Sequence, residues 1–345
     1  MEDRLDARLK ELPPSAVHGV IARIAEIDEF KGWWAGREPP SPAVLGRLKK
    51  RVVAVSADAA ARAGRGGERD PSRAAGYADA LRAVFDGHGE MTLGEDLVLR
   101  LHARLLKYSP AGPAAPGSYR TAPGPVEARP RRGLESVALR PADPLLAPRE
   151  TRAAAAWAAS RLASRAYHPL LVNAGFILEF LAIRPFADGN GRLSRILTNL
   201  LLLQSGYAYV AYGSLETAIA DRRTEYYLAL RRSQANRNLP RPDISSWLAA
   251  FLDAIRAQAR ELRDAVAGRP ADSLLSENQI AALDLLQRNR EVTNRFLCRE
   301  LGIPRDTAKQ VLARLVALNM IRRVGSGRAA RYRKAPLQGD GGDAR

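Results

Sequence analysis

The stretch HPLLVNAGFILEFLAI, residues 168–183, is almost wholly apolar, with Glu179 its one acid. A helix without a polar face must be covered all round, so this segment is expected at the centre of a core. Pro185 disfavours a helical residue 184 and so ends it. After the polar loop PFADGNG the chain restarts a helix at 191–204, GRLSRILTNLLLLQ, with its apolar face on Leu193, Ile196, Leu197, Leu200 and Leu201. The loop thus lies between a buried helix and the N-terminus of another.

Apolar periodicity broken by Pro and Gly clusters predicts the surrounding helices. These run over 46–63, 73–84, 97–107, 149–166, roughly 214–235 and 243–267, with GRGGERDPS at 64–72 as a flexible break. Residues 108–133 hold too many prolines for a long helix and read as a loop or short hairpin. No internal repeat occurs.

The loop between the core helices carries its own chemistry. The N-terminus of a helix presents unpaired N–H groups and partial positive charge, which together stabilise an anion. Gly189 and Gly191 permit close backbone approach and positive φ, and Asn190 tolerates a left-handed conformation. Arg192 and Arg195, three apart on one helix face, suit bidentate phosphate contacts, and Asp188 is the hard oxygen ligand for a bridging magnesium ion. The alternative is a Gly-Asn turn whose arginines pair with acids flanking the core. Residue types alone leave both readings open.

Composition bounds the classes. At 345 residues and 46% apolar content the chain is long enough for a sizeable core and two or three units. A net charge of +17 points to an anionic partner such as a nucleotide or nucleic acid. The excess is carried by Arg, since only 7 of 54 basic residues are Lys, and part of it reflects a general bias toward Arg, Ala, Gly and Pro. One cysteine, Cys298, excludes an intramolecular disulfide, and His18, His88, His102 and His168 have no metal-ligand spacing, so zinc is not expected. The first thirty residues lack a cleavable apolar run, and no stretch is long and apolar enough for a membrane span. A cytoplasmic protein without membrane contact is the expectation.

Residues 184–195, RPFADGNGRLSR, resemble the core motif of the Fic (Fido) family of adenylyl-transfer enzymes, HxFx(D/E)GNGRxxR. Every defined position matches except the first. YHPLLVNAGFILEFLAI, GYAYVAYGSLETAI at 206–219, EYYLALRRSQ at 225–234 and IDEFKGWW at 27–34 are also similar to stretches of long bacterial Fic proteins with a C-terminal winged helix. The resemblance implies a mainly α Fido core with a short β-hairpin flap. It also implies a site for ATP or another nucleotide with magnesium, the metal on Asp188. Gly189, Asn190 and Gly191 would form the turn and anion hole, and Arg192 and Arg195 would hold the β- and γ-phosphates. Gly117, Ser118, Tyr119, Arg120 and Thr121 match the flap that aligns a target protein's side chain.

Two departures stand out. Arg184 occupies the position of the family's histidine, the base that accepts the attacking hydroxyl's proton. Arginine stays protonated and has no acceptor lone pair, and losing a general base typically forfeits about 10²–10⁴-fold in rate. The inhibitory helix of many relatives carries a glutamate where this chain, aligned through ADAAARAG at 57–64, has Ala63. Three other residues invite roles: His168 as a substitute base, against a helix-start role, and Trp33 with Trp34 as a base-stacking pair, against helix packing.

The C-terminal segment reads as a separate unit after the break at 268–272. Helices at 276–287, around VTNRFLCREL and at 304–320, with a turn at Gly302, form a helix-turn-helix. IRRVGSGRAARYRK at 321–334 alternates around Gly-Ser-Gly as a wing hairpin does. Residues 272–336 hold 13 Lys or Arg against 6 Asp or Glu. Arg305, Asp306 and Lys309 are the candidates for base edges, and Arg328 and Arg331 on the wing for phosphates, with Arg314 adding to the basic face. The alternative for this unit is protein contact or homodimer assembly.

The expected organisation is thus an N-terminal helical region at 1–95, a Fido core at 96–240, a helical connector at 241–271, a winged helix at 272–336 and a disordered tail at 337–345. Two function classes follow. One is a nucleotide-binding Fic protein with adenylyl transfer lost or strongly reduced, coupled to a DNA-binding winged helix in a regulatory role. The other is an active transferase that uses a different base or another phosphate-containing donor.

Overall fold

The structure, a computed structural model, describes residues 2–37, 42–62, 70–110, 115–123, 141–235, 242–267, 276–317, 320–325 and 330–334. Ala63, Arg328, most of the expected flap hairpin, the break at 268–272 and the tail from 337 lie outside these residues. The chain divides into two compact units, residues 1–39 with 48–265 and residues 40–47 with 266–345. Among the described residues no helix is long and apolar enough to cross a membrane.

The helices are α1 (Glu2–Lys10), α2 (Pro14–Gly36), α3 (Pro42–Arg62), α4 (Pro71–Gly87), α5 (Glu95–Leu105), α6 (Ala147–Ser164), α7 (Pro169–Ile183), α8 (Asn190–Gln204), α9 (Leu215–Asp221), α10 (Arg223–Ala235), α11 (Ser245–Ala267), α12 (Glu277–Arg288), α13 (Asn294–Leu301) and α14 (Arg305–Ala317). Two strands follow, β1 (Ile321–Val324) and β2 (Arg331–Lys334).

In the first unit α7 is buried on all sides, as its sequence demands, and packs chiefly on α6 and α8. Gly175 lets Trp157 of α6 approach, since a Cβ there would stand 3.1 Å from the indole. Trp247 of α11 is fully buried and donates its indole N–H to the Ala174 carbonyl at 2.8 Å. Glu179, fully buried on α7, accepts from Arg8 at 2.8 Å and from Arg4, which ties α1 to the core helix. A buried carboxylate is tolerable only with such partners. Gly76 lets α4 approach α5 closely: a Cβ there would stand 2.0 Å from the Leu105 carbonyl oxygen.

The segment expected as one helix over 214–235 is two. Ser214 caps α9 through the Thr217 N–H, and Arg222 leaves the helical region at φ −113, ψ 27 before α10 begins. Residues 115–123 contain no strand, so the hairpin expected for the flap is absent from its described part.

The second unit opens on a reciprocal cap: the Ser276 hydroxyl accepts the Gln279 N–H, and the Gln279 side chain accepts the Ser276 N–H. Thr293 caps α13, and Gly302 at φ 62 turns the chain toward α14. Strands β1 and β2 pair antiparallel from Ile321↔Lys334 to Val324↔Arg331. Ala282, Leu286, Val292, Leu297, Ala308, Val311, Leu312, Leu315 and Ile321 form its core.

Candidate functional site

The site grows from the way the chain leaves α7. Arg184 adopts a left-handed conformation at φ 48, ψ 64, and its N–H returns to the Phe180 carbonyl at 3.0 Å. Phe186 is driven into the core, where it stacks on His102 with centroids 3.7 Å apart. The Asn190 side chain closes the loop by gripping the Phe186 backbone at both ends: its Oδ1 accepts the N–H at 3.0 Å and its Nδ2 donates to the carbonyl at 2.7 Å. The left-handed residues are therefore Arg184 and Gly189, the latter at φ 84. Asn190, expected to be free for such a conformation, is instead the first residue of α8, because its side chain is needed inside the loop. Gly191 does not need positive φ; a Cβ there would meet only Arg195 Nη1 at 3.9 Å, so the first turn of α8 stays bare.

The flap segment docks on this loop through its backbone and through Arg120. The Arg120 N–H donates to the Pro185 carbonyl at 3.0 Å. Its buried guanidinium caps the end of α7, donating from Nε to the Arg184 carbonyl at 2.7 Å and from Nη1 to Ala122, with Nη2 on Ala142. Tyr119 lies parallel to Phe186 at 5.7 Å and donates its hydroxyl to Glu95 at 2.9 Å. Gly117 turns at φ 73 and aims its N–H at Nδ1 of His102, 3.1 Å away.

His102 thus joins flap to loop. Its Nδ1 faces an N–H and must accept, so the proton of the neutral ring sits on Nε2 and is donated to the Asp188 carbonyl at 3.1 Å. Burial pushes its pKa down to about 4; the Asp188 carbonyl pulls the other way, and the Arg192 charge adds to the depression.

Charge is concentrated at the start of α8. Arg192 is buried and donates to Asp188 Oδ2 at 2.8 Å. Arg73 of α4, held by Asp70 at 3.2 Å, approaches the same oxygen at 3.5 Å. Asp188 Oδ1 accepts the Gly189 N–H at 2.7 Å. Burial would raise this carboxyl's pKa, but Arg192, the Gly189 N–H and Arg73 together hold it below the usual range. Arg195 is buried beside Tyr77, which donates its hydroxyl to Glu216. Two guanidinium nitrogens, Arg192 Nη1 and Arg195 Nε, are buried without a hydrogen-bond partner. Buried donors of this kind are costly unless something supplies an acceptor. A phosphate at the α8 N-terminus would do so.

Arg195 opens into a cavity of about 700 Å³ lined also by Ala54, Val55, Asp58, Ala59 and Arg62 of α3, by Glu216, Ile219 and Ala220 of α9, and by Arg223 and Tyr227 of α10. The acid that α3 presents here is Asp58, which pairs with Arg62 at 2.9 Å.

Magnesium fits the donor set poorly. The single carboxylate proposed to hold it, Asp188, is already bracketed by two guanidinium groups.

His168 does not come near the loop. It caps the opposite end of the fifteen-residue α7, ~22 Å away at 1.5 Å per residue, with Nδ1 accepting the Leu170 N–H and Nε2 on Asp28 at 3.0 Å. Trp33 stacks on Phe30 at 5.2 Å and Trp34 on Tyr212 at 5.4 Å, so both are packing residues.

In the second unit Arg305, Asp306, Lys309 and Arg314 are exposed along α14. Arg331 and Arg333 of β2 both pair with Glu291, the latter at 2.9 Å.

Residues 92–202 match the Fic/DOC family and residues 275–331 the MarR family. A 41-residue stretch, 12% of the chain, is 46% identical to a Fido domain-containing protein of Dictyostelium discoideum and spans 29% of that protein's length. A crystal structure of a Fic family protein from Desulfovibrio desulfuricans superposes with a TM-score of 0.53 at 22% identity, covering 97% of this chain and 98% of that one. A Fic domain-containing signaling protein from Bacteroides thetaiotaomicron gives 0.55 at 16% identity, covering 71% of this chain and 98% of that one. At these identities the likeness is one of fold.

Proposed function

Because the chain carries a Fic/Fido domain at residues 92–202 and a MarR-type winged helix at 275–331, we propose that it is a nucleotide-binding regulator. In this reading the Fido site holds a nucleotide, ATP foremost, without transferring AMP at an appreciable rate, and the winged helix binds DNA. The observation that carries it is the pair of buried, unpartnered donors, Arg192 Nη1 and Arg195 Nε, at the start of α8. Holding an anion needs those donors and the helix N-terminus. Activating a hydroxyl needs an acceptor near neutral pKa at residue 184, which arginine does not offer.

The reading of an active transferase with another base gains no support from the histidines. His102 has both ring nitrogens engaged, and His168 lies at the far end of α7. The flap, with Tyr119 and Arg120 docked on the loop, is where a target protein would align, and a restored base would act there.

The test is incorporation of labelled AMP from ATP. The Arg184→His variant labels itself or a partner, and the wild type does not; labelling by the wild type overturns the reading. For the second unit, the full chain is retained on DNA at low salt and released as salt rises, and removing residues 272–345 abolishes retention. No retention by the full chain removes the DNA half of the proposal.

A further inference from the structure

Arg73 has no part in the family resemblance, yet it occupies the most electrostatically loaded corner of the site. Its placement is built in three steps. Asp70 caps α4, with Oδ1 accepting the backbone N–H of Ser72 at 2.9 Å and of Arg73 at 3.3 Å. The other oxygen of the same carboxylate takes Arg73 Nε at 3.2 Å, which leaves Nη2 aimed at Asp188 Oδ2, 3.5 Å away. Arg192 meets that oxygen from the opposite element at 2.8 Å.

The Asp188 carboxylate therefore stands between two fixed cations, with its remaining oxygen on the Gly189 N–H. A divalent metal seated there would have to displace Arg73 or share an oxygen with two guanidinium groups. A metal bridging a carboxylate to phosphates neutralises charge and fixes orientation. A guanidinium does both, and its planar fork matches phosphate oxygens. Arg73 remains about one-third exposed, so it is accessible to a ligand while anchored by Asp70.

We infer that this site binds the phosphates of its nucleotide without a divalent metal, with the Arg73 guanidinium beside Asp188 serving as the bridging cation. The inference rests on the nucleotide reading above. It makes the bound species the free polyphosphate anion, held by Arg73, Arg192, Arg195 and the first turn of α8.

Titration calorimetry of the full chain with ATP, in excess EDTA and in excess magnesium, separates the possibilities. Affinity in EDTA that is tighter than in magnesium, where most of the ATP is complexed, or weaker by less than about tenfold, supports the inference. Affinity weaker by more than about tenfold in EDTA overturns it and leaves the nucleotide reading standing. Absence of binding in both conditions overturns the nucleotide reading itself.

The Arg73→Ala variant assigns the residue. The expected result is a loss of about tenfold or more in EDTA that magnesium largely restores, with Arg73→Lys intermediate. An Arg73→Ala variant that keeps wild-type affinity in EDTA, with an unchanged unfolding temperature, refutes the role of Arg73. If Arg73→Ala does not fold, Arg73→Lys decides the matter alone, because it retains the charge and loses the fork.

Discussion

Protonating His102 should unclasp the flap from the loop that precedes α8, at a cost set by its buried, hydrogen-bonded ring. The ring is fully buried, accepts the Gly117 N–H at Nδ1 and donates from Nε2 to Asp188. A second proton would set Nδ1–H against the Gly117 N–H in a site where burial holds the pKa at about 4, down from an ordinary 6.5. Because the folded state takes up this proton less readily than the unfolded chain, its contribution to stability is complete above pH 6.5 and is lost as pH falls toward 4. At 1.36 kcal/mol per unit the whole loss is about 3 kcal/mol, and about 2 kcal/mol of it falls between pH 6.5 and 5, before most carboxylates titrate. All four tryptophans lie in the first unit, so indole fluorescence during urea unfolding reports on that unit alone. The measurement compares wild type with His102→Gln at pH 7 and pH 5. Wild type should lose about 2 kcal/mol more than the variant. Equal losses would show that His102 does not carry the pH dependence and would refute the neutral, acceptor role of Nδ1.

Other substitutions probe the same architecture. Gly76→Ala places a methyl group 2.0 Å from the Leu105 carbonyl oxygen, so it should cost about 3 kcal/mol or more, seen as a lower unfolding temperature in a thermal melt. Glu179→Ala removes the carboxylate that Arg4 and Arg8 share on the core helix, and urea unfolding should show a loss of about 3–5 kcal/mol. Arg195→Lys keeps the charge but loses the buried Nε donor, and calorimetry should show ATP binding about tenfold weaker with an unchanged melting temperature. Arg331→Ala on β2, a candidate for phosphate contact, should lower the salt-dependence slope of DNA binding by about 1, read by fluorescence anisotropy across a salt series.

What the sequence made legible follows the range of the interactions involved. Helices α7 and α8 were readable because their own apolar pattern demands burial. The break between α9 and α10 was not readable, because Arg222 leaves the helix with neither Gly nor Pro to announce it. Arg73 gave no local sign, since its partner Asp188 is far along the chain, and Tyr77 meets Glu216 across a similar gap. His102 did leave a trace: it falls on the buried side of α5 with Val98, Leu101 and Leu105, where a polar residue needs a partner. The left-handed turn falls on Gly189, one of the positions read as free for positive φ, and not on Asn190, for a physical reason. Asn190 is a good left-handed residue, but its amide is worth more to the loop as the double clamp on Phe186, and Gly189 takes the turn.

That division of labour bears on Arg184. The main chain of residue 184 supplies a left-handed turn, an N–H for the Phe180 carbonyl and a carbonyl for Arg120. None of these depends on the identity of the side chain, beyond the modest strain that any non-glycine residue carries at φ 48. Holding the loop and docking the flap through these groups therefore survive a change at this position. Proton acceptance does not, because it belongs to the side chain alone. A fold that assigns structure to the backbone and chemistry to the side chain at one residue can give up turnover while keeping a ligand site.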